Sequence, residues 1–247
     1  MGSVGTNKGN NDYHTFDTLS RNSHHYVSDN GATERFFEQA QNLSELYPEV
    51  LEHSRAFDAW ISGNPFMSGI QYDGFSNMPR YAQEYTRAFD SVLDRATLNT
   101  SIEVHRRATS ELIFGKGVKR FTEDDLRNMV GNEVISMGNM STGAAAEGLT
   151  IGSGSDKPID YVFRIPAGST GAGLYIGHHR VNDSFGDEQR EFMMNRDTSF
   201  RVVGYERIPD SEREAIRSRS STWSDDDTPP RYRVILEYTG LLDHDYS

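Results

Sequence analysis

Between Asp187 and Val202 the chain reads DEQREFMMNRDTSFRV, with Gln189 and Glu191 two residues apart at the entrance to an apolar run. Successive side chains of a strand point to opposite faces, so Gln189, Glu191 and Met193 share one face, the first two about 6.5 Å apart. A carboxamide and a carboxylate at that spacing form either a site or a solvated strand end. Two earlier segments also carry reactive groups in strand-like surroundings: IEVHRRA, with Arg106 and Arg107, and GNMSTGAAAEG, with Ser141, Thr142 and Gly143. Several other chemistries are ruled down. The chain has no cysteine, hence no disulfide, no thiolate nucleophile and no cysteine metal site. FGKGVK lacks the spacing of a phosphate-binding Gly-x-x-x-x-Gly-Lys-Ser/Thr loop, and AGSTGAG places Ala167, not glycine, two residues before Ser169, which breaks the Gly-x-Ser-x-Gly elbow. No Gly-x-Gly-x-x-Gly leads from a strand into a helix. The pairs His24-His25 and His178-His179 project neighbouring side chains in different directions, so no metal is expected.

Those segments need a scaffold, and 247 residues suffice for one good core with at most a small second lobe. The formal net charge of -12 argues against generic nucleic-acid binding, which needs a basic face to neutralise phosphates. No apolar run approaches the ~20 residues of a membrane span, and the first residues lack the apolar core of a secretory signal. They read MGSVGT, which fits the pattern for myristoylation of Gly2; a cloning remnant or chance fits the same letters. Membrane association is expected only if that glycine is acylated.

Residues 1–31 are rich in Asn, Ser, Gly and His without apolar periodicity, and are read as a disordered leader. Residues 32–247 are read as a single domain. Its first part, 32–100, has apolar residues at three- and four-residue steps from Phe36 to Ile61, then a stronger helix from Pro79 to Ala96, and forms a helical lobe. From 101 to 247 the pattern changes to short β-like runs (SIEVHRRA, EVISMGNM, DYVFRIPAG, GLYIG, EFMMN, SFRVVGYERI, RYRVILEYTG) and one capped helix after Thr122 that ends before Gly131. Helices followed by strands, without βαβ alternation, predict an α+β fold: an N-terminal helical lobe followed by a mostly antiparallel β-sandwich. The charged stretch DSEREAIRSRSSTWSDDDTPP is read as a solvated excursion before the last strand.

Taken in order, the three segments resemble the mono-ADP-ribosyltransferases of the Arg-Ser-Glu class. In that family an arginine follows an aromatic or similar residue on the first strand, here VHR. A Ser-Thr-Ser strand follows, here MSTG, and then a Glu/Gln-x-Glu pair opens a strand, here QREFMMNRDTSFRV. The resemblance covers roughly residues 50 to 240. It implies an ADP-ribosyltransferase-type β-rich core that binds NAD as substrate, with no metal. Arg106, or Arg107 one register along, would grip the diphosphate with its guanidinium fork. Glu191 would steady the positive charge that builds on the ribose as nicotinamide leaves. Ser141 and Thr142 would support the cleft and orient Glu191. The family's third serine is Gly143 here, and Asn139 stands where an aromatic is usual, which bears on how tightly nicotinamide is held.

In the family the residue two before the catalytic glutamate helps choose the acceptor. Glutamine there, as Gln189, goes with asparagine or glutamine acceptors, or with guanine in DNA-modifying relatives; a one-residue bulge would present Glu188 and restore arginine chemistry. The resemblance therefore implies transfer of ADP-ribose to a target host protein by a bacterial toxin or effector secreted into the host cell. The alternatives are an NAD glycohydrolase and a binding protein that has kept the fold but lost turnover.

Overall fold

The computed structural model describes residues 14–15, 75–98, 101–136, 138, 140–142, 158–175, 192–219 and 229–246. In chain order the elements are β1 (His14–Thr15), a 3-10 turn (Phe75–Asn77), α1 (Arg80–Leu93), β2 (Ile102–Ala108), α2 (Glu111–Phe114), α3 (Glu123–Met129), β3 (Glu133–Ser136), β4 (Met140–Thr142), β5 (Ile159–Ile165), β6 (Gly173–Tyr175), β7 (Phe192–Met194), β8 (Thr198–Arg207), α4 (Asp210–Arg219) and β9 (Tyr232–Leu241). Six strands form one sheet in the order β1-β2-β5-β9-β8-β3, and three form a second in the order β4-β7-β6. Pairing is antiparallel except for β1 with β2 and β5 with β9. The α+β class and the mostly antiparallel pairing are as the sequence predicts. Of the helical lobe only α1 and the turn before it are described; Phe36 to Ile61 lie outside the described residues. Within the leader, His14 and Thr15 pair in parallel with Ile102 and Glu103, and the rest lies outside.

The core follows from strand alternation. On one face of the large sheet Ile102 and Val104 of β2, Ile159, Tyr161, Phe163 and Ile165 of β5, Val234 and Leu236 of β9, and Phe200 and Val202 of β8 are buried in one cluster. Met140, Phe192 and Met194 of the small sheet enter the same cluster. Each such side chain contributes roughly 1.5–3 kcal/mol by leaving water, so this shared cluster is what ties the small sheet to the large one. The helix after Thr122 is capped as expected. Thr122 Oγ1 accepts from the Asp125 amide at 3.2 Å, Asp125 Oδ2 accepts from the Thr122 amide at 2.7 Å, and Gly131 past the helix end takes φ +93°.

One reading needs correction. Asp210–Arg219, expected as a solvated excursion, is a ten-residue helix. Its sequence holds only Ala215 and Ile216 as apolar residues, so no hydrophobic period announces it. It is fastened by charge instead: Arg233 Nη2 of β9 donates to Glu212 Oε1 at 2.8 Å. Among the described residues no helix is long and apolar enough to cross a membrane.

Gly173 fixes how closely β6 approaches β7. It takes φ +148°, and a Cβ there would lie 2.3 Å from the Met193 carbonyl oxygen and 2.8 Å from Met194 Cα. Gly173→Ala is therefore expected to destabilise the fold by about 2–3 kcal/mol, read as a lowered urea midpoint at unchanged m-value. An unchanged midpoint would show that the strands separate freely.

Candidate active site

Strand β2 presents its two arginines to opposite faces. Arg106 follows Ile102 and Val104 on the core-facing side and stands directly across the ladder from Tyr161. It is half-buried, and β2 lies against β4 of the small sheet. Arg107 is buried on the other face, opposite Asp160. That face carries a charge network of its own. Asp160, fully buried, meets His105 Nδ1 at 3.1 Å and accepts from Arg233 Nε at 3.0 Å, while Arg233 also reaches Glu206 and Glu212. Burial alone would raise the Asp160 pKa, but His105 and Arg233 hold it below the ordinary carboxylate value.

The small sheet brings together two segments that are 50 residues apart in the chain. Ser141 pairs with Met193 and Thr142 with Phe192, so the Ser-Thr segment runs beside the strand that begins one residue after Glu191. The backbone of Ser141 is placed by this ladder; its side chain lies outside the described residues, as do Gly143, Gln189 and Glu191. Thr142 is fully buried, and its hydroxyl donates to the Phe192 carbonyl at 2.7 Å. Its hydroxyl proton is thus spent inside the sheet, on the residue next to Glu191 in sequence. Among the described residues no group of three or more His, Asp or Glu is placed to hold a metal ion.

Beyond β7 lies a buried polar cluster that reading the sequence missed. The turn Asn195–Asp197 joins β7 to β8, and Arg196 in it is 2% exposed. Arg196 Nε donates to Asp90 Oδ1 of α1 at 3.0 Å, Nη2 donates to Asp90 Oδ2 at 3.0 Å, and Nη1 donates to Asp197 Oδ2 at 2.8 Å. Asn195 Nδ2 donates to Asp94 Oδ1 at 2.7 Å. The segment after β9 closes over this: His244 lies 2.9 Å from Asp197 through Nδ1 and 2.9 Å from Asp94 through Nε2, and Tyr246 donates its hydroxyl to Asp90 Oδ2 at 2.7 Å. The one available signal was the polar trio Asn195-Arg196-Asp197 set between two apolar strand runs, where buried polar groups require partners.

No protein-family model matches the chain, and no curated protein does. Solved structures do match. Plx2a, an ADP-ribosyltransferase toxin from Paenibacillus larvae, is 15% identical with a TM-score of 0.60, over 85% of this chain and 95% of that one. The C3 exoenzyme of Clostridium limosum is 12% identical with a TM-score of 0.60, over 93% of this chain and 98% of the other. C3stau2 from S. aureus, solved with NAD, is 15% identical with a TM-score of 0.56, over 85% and 94%. At this identity the likeness is one of architecture, spanning nearly the whole of each toxin, and the chain has the fold of the bacterial C3-type ADP-ribosyltransferase toxins.

Proposed function

We propose that the chain cleaves NAD between nicotinamide and ribose and transfers ADP-ribose to a protein acceptor. The observation that carries this is the β4–β7 register. It sets Ser141 and Thr142 against the strand that Glu191 enters, while β2, bearing Arg106, packs on β4. The core shared by the two sheets supports reading them as layers of a sandwich. The neighbouring strands β2, β4 and β7 thereby support reading the three segments of the Arg-Ser-Glu pattern as one cleft.

The roles follow from charge. As the glycosidic bond to nicotinamide breaks, the ribose becomes cationic, and the Glu191 carboxylate, held ready, lowers the energy of that state. Arg106 is the guanidinium for the diphosphate. Arg107 is turned to the opposite face, opposite the buried Asp160, and is assigned a structural part. Ser141 backs Glu191, Thr142 anchors β7 through the Phe192 carbonyl, and Gly143 leaves room where the family has its third serine. Gln189 has no carboxylate to accept a proton from a guanidinium, so the acceptor is an asparagine or glutamine side chain rather than arginine. The acceptor protein belongs to a host cell into which the chain is secreted.

Incubation with labelled NAD and a host-cell lysate is expected to label a protein band that Glu191→Gln loses. Free ADP-ribose without a band identifies water as the acceptor, and no NAD consumption overturns the proposal. Mass spectrometry on the band is expected to find ADP-ribose on an amide side chain, and Gln189→Glu to move it towards arginine. Arginine modification by the unaltered protein would refute the role given to Gln189.

A further inference from the structure

We propose that the segment Leu242–Tyr246 is a clasp that sets the geometry of β7, the strand that follows Glu191 in the sequence, through Arg196 and His244 as positioning residues. Its kinetic consequence rests on the function proposed above; its structural consequence does not.

Among the described residues β7 has three residues and lies between β4 and β6, of three each. The turn Asn195–Asp197 continues β7 directly, so what holds the turn holds that end of the strand. The turn after β7 is held with unusual completeness. The Asn195 amide donates to the Ala172 carbonyl at 3.0 Å, Thr198 Oγ1 donates to the Asn195 carbonyl at 3.1 Å, and Asp197 sits in the left-handed region at φ +53°. Arg196 ties the turn to Asp90 of α1 by a forked ion pair. The clasp then closes over both. The Leu242 amide donates to the Asp197 carbonyl at 2.9 Å, and the Tyr246 ring lies 4.9 Å from the Arg196 guanidinium and packs edge-on against Phe75 at 5.0 Å. Hydrogen bonds are directional, so such a network fixes the turn's position more sharply than apolar packing would. A reacting constellation needs its groups held within about 0.5 Å.

His244 is the latch of this clasp. Both ring nitrogens face carboxylate oxygens at 2.9 Å, and only the imidazolium carries a donor on each. It faces Asp94 and, at 3.7 Å, Asp90 from α1, Asp197 and Arg196 from the turn, and Tyr246 from its own segment. Burial would lower its pKa, but the hydrogen bonds to Asp197 and Asp94 outweigh that, and it is pushed up to about 9, against the Arg196 charge. The folded value is raised, so the latch contributes in full below 6.5, the ordinary histidine value, and is lost as pH rises through about 9.

The test measures NAD cleavage, with kcat and KM separated, across the neutral and alkaline range for the unaltered protein, His244→Gln and Tyr246→Phe. Amide hydrogen exchange of residues 192–197 is followed in parallel. In the unaltered protein kcat is expected to fall as pH rises through about 9, with KM for NAD held, because Arg106 stands on β2. His244→Gln is expected to start roughly tenfold lower in kcat and to show no such step, with Tyr246→Phe between the two. Unaltered kcat in His244→Gln with the same alkaline step would overturn the proposal, whatever happens to its melting temperature. If the unaltered protein does not cleave NAD, the function proposed above has failed and exchange alone decides: faster exchange at 192–197 in both variants, with β5 and β9 unchanged, upholds the clasp, and unchanged exchange ends it.

Discussion

Asp90→Ala is expected to lower the unfolding free energy by about 3–5 kcal/mol, and the melting temperature by roughly 10 °C. Asp90 and Arg196 are each only 2% exposed at the side chain, and Asp90 accepts from Nε and Nη2 of Arg196 and from the Tyr246 hydroxyl. Removing the carboxylate leaves a guanidinium in a site from which water is excluded, with Asp197, the Asp245 carbonyl and Tyr246 as its remaining partners among the described residues. Desolvation of the orphaned charge, more than the lost attraction, sets the size of the effect. Two variants separate these terms. Asp90→Ala combined with Arg196→Met removes both charges and is expected to recover part of the loss, whereas Asp90→Ala alone is not. Calorimetry or urea unfolding reads both, and a cost below about 1 kcal/mol for the single variant would show the pair to be solvated after all.

Glu191→Gln is expected to reduce kcat for NAD cleavage by about 10²–10³-fold, equivalent to about 3–4 kcal/mol of barrier, with KM for NAD changed little. Glutamine keeps the size and hydrogen-bonding capacity of the side chain but loses the negative charge, and the charge matters chiefly when the ribose is cationic. An interaction made mainly in the transition state appears in kcat, whereas one made equally with bound substrate appears in KM. Arg106 and the β4–β7 ladder stay intact in this variant, so NAD should still bind. A large rise in KM with kcat preserved would assign Glu191 to substrate binding, and normal turnover would remove it from the chemistry.

Much of the scaffold was legible because its signals are local. The runs around β5, β8 and β9 are rich in Val, Ile, Phe and Tyr and bounded by Gly, Pro or Asp, and each is a strand. Thr122, Asp125 and Gly131 mark the start and stop of α3 within a few residues of one another. Helix α4 was illegible because ion pairs to another strand, rather than an apolar stripe, hold it.

By itself the sequence determined which residue types and which order were available: an arginine strand, a Ser-Thr strand and a strand led by Gln-x-Glu, inside an α+β pattern. It preferred Arg106 but kept Arg107 as an alternative, because strand side chains alternate and a shift of one residue exchanges the faces. Only the pairing of β2 with β5 set Arg106 opposite the core residue Tyr161 and Arg107 opposite the buried Asp160. The same holds for Asp90 with Arg196, 106 residues apart, and for Asp94 with His244, 150 apart. No local period links such partners, since their attraction acts only after the chain has brought them within a few ångströms and excluded the water between them.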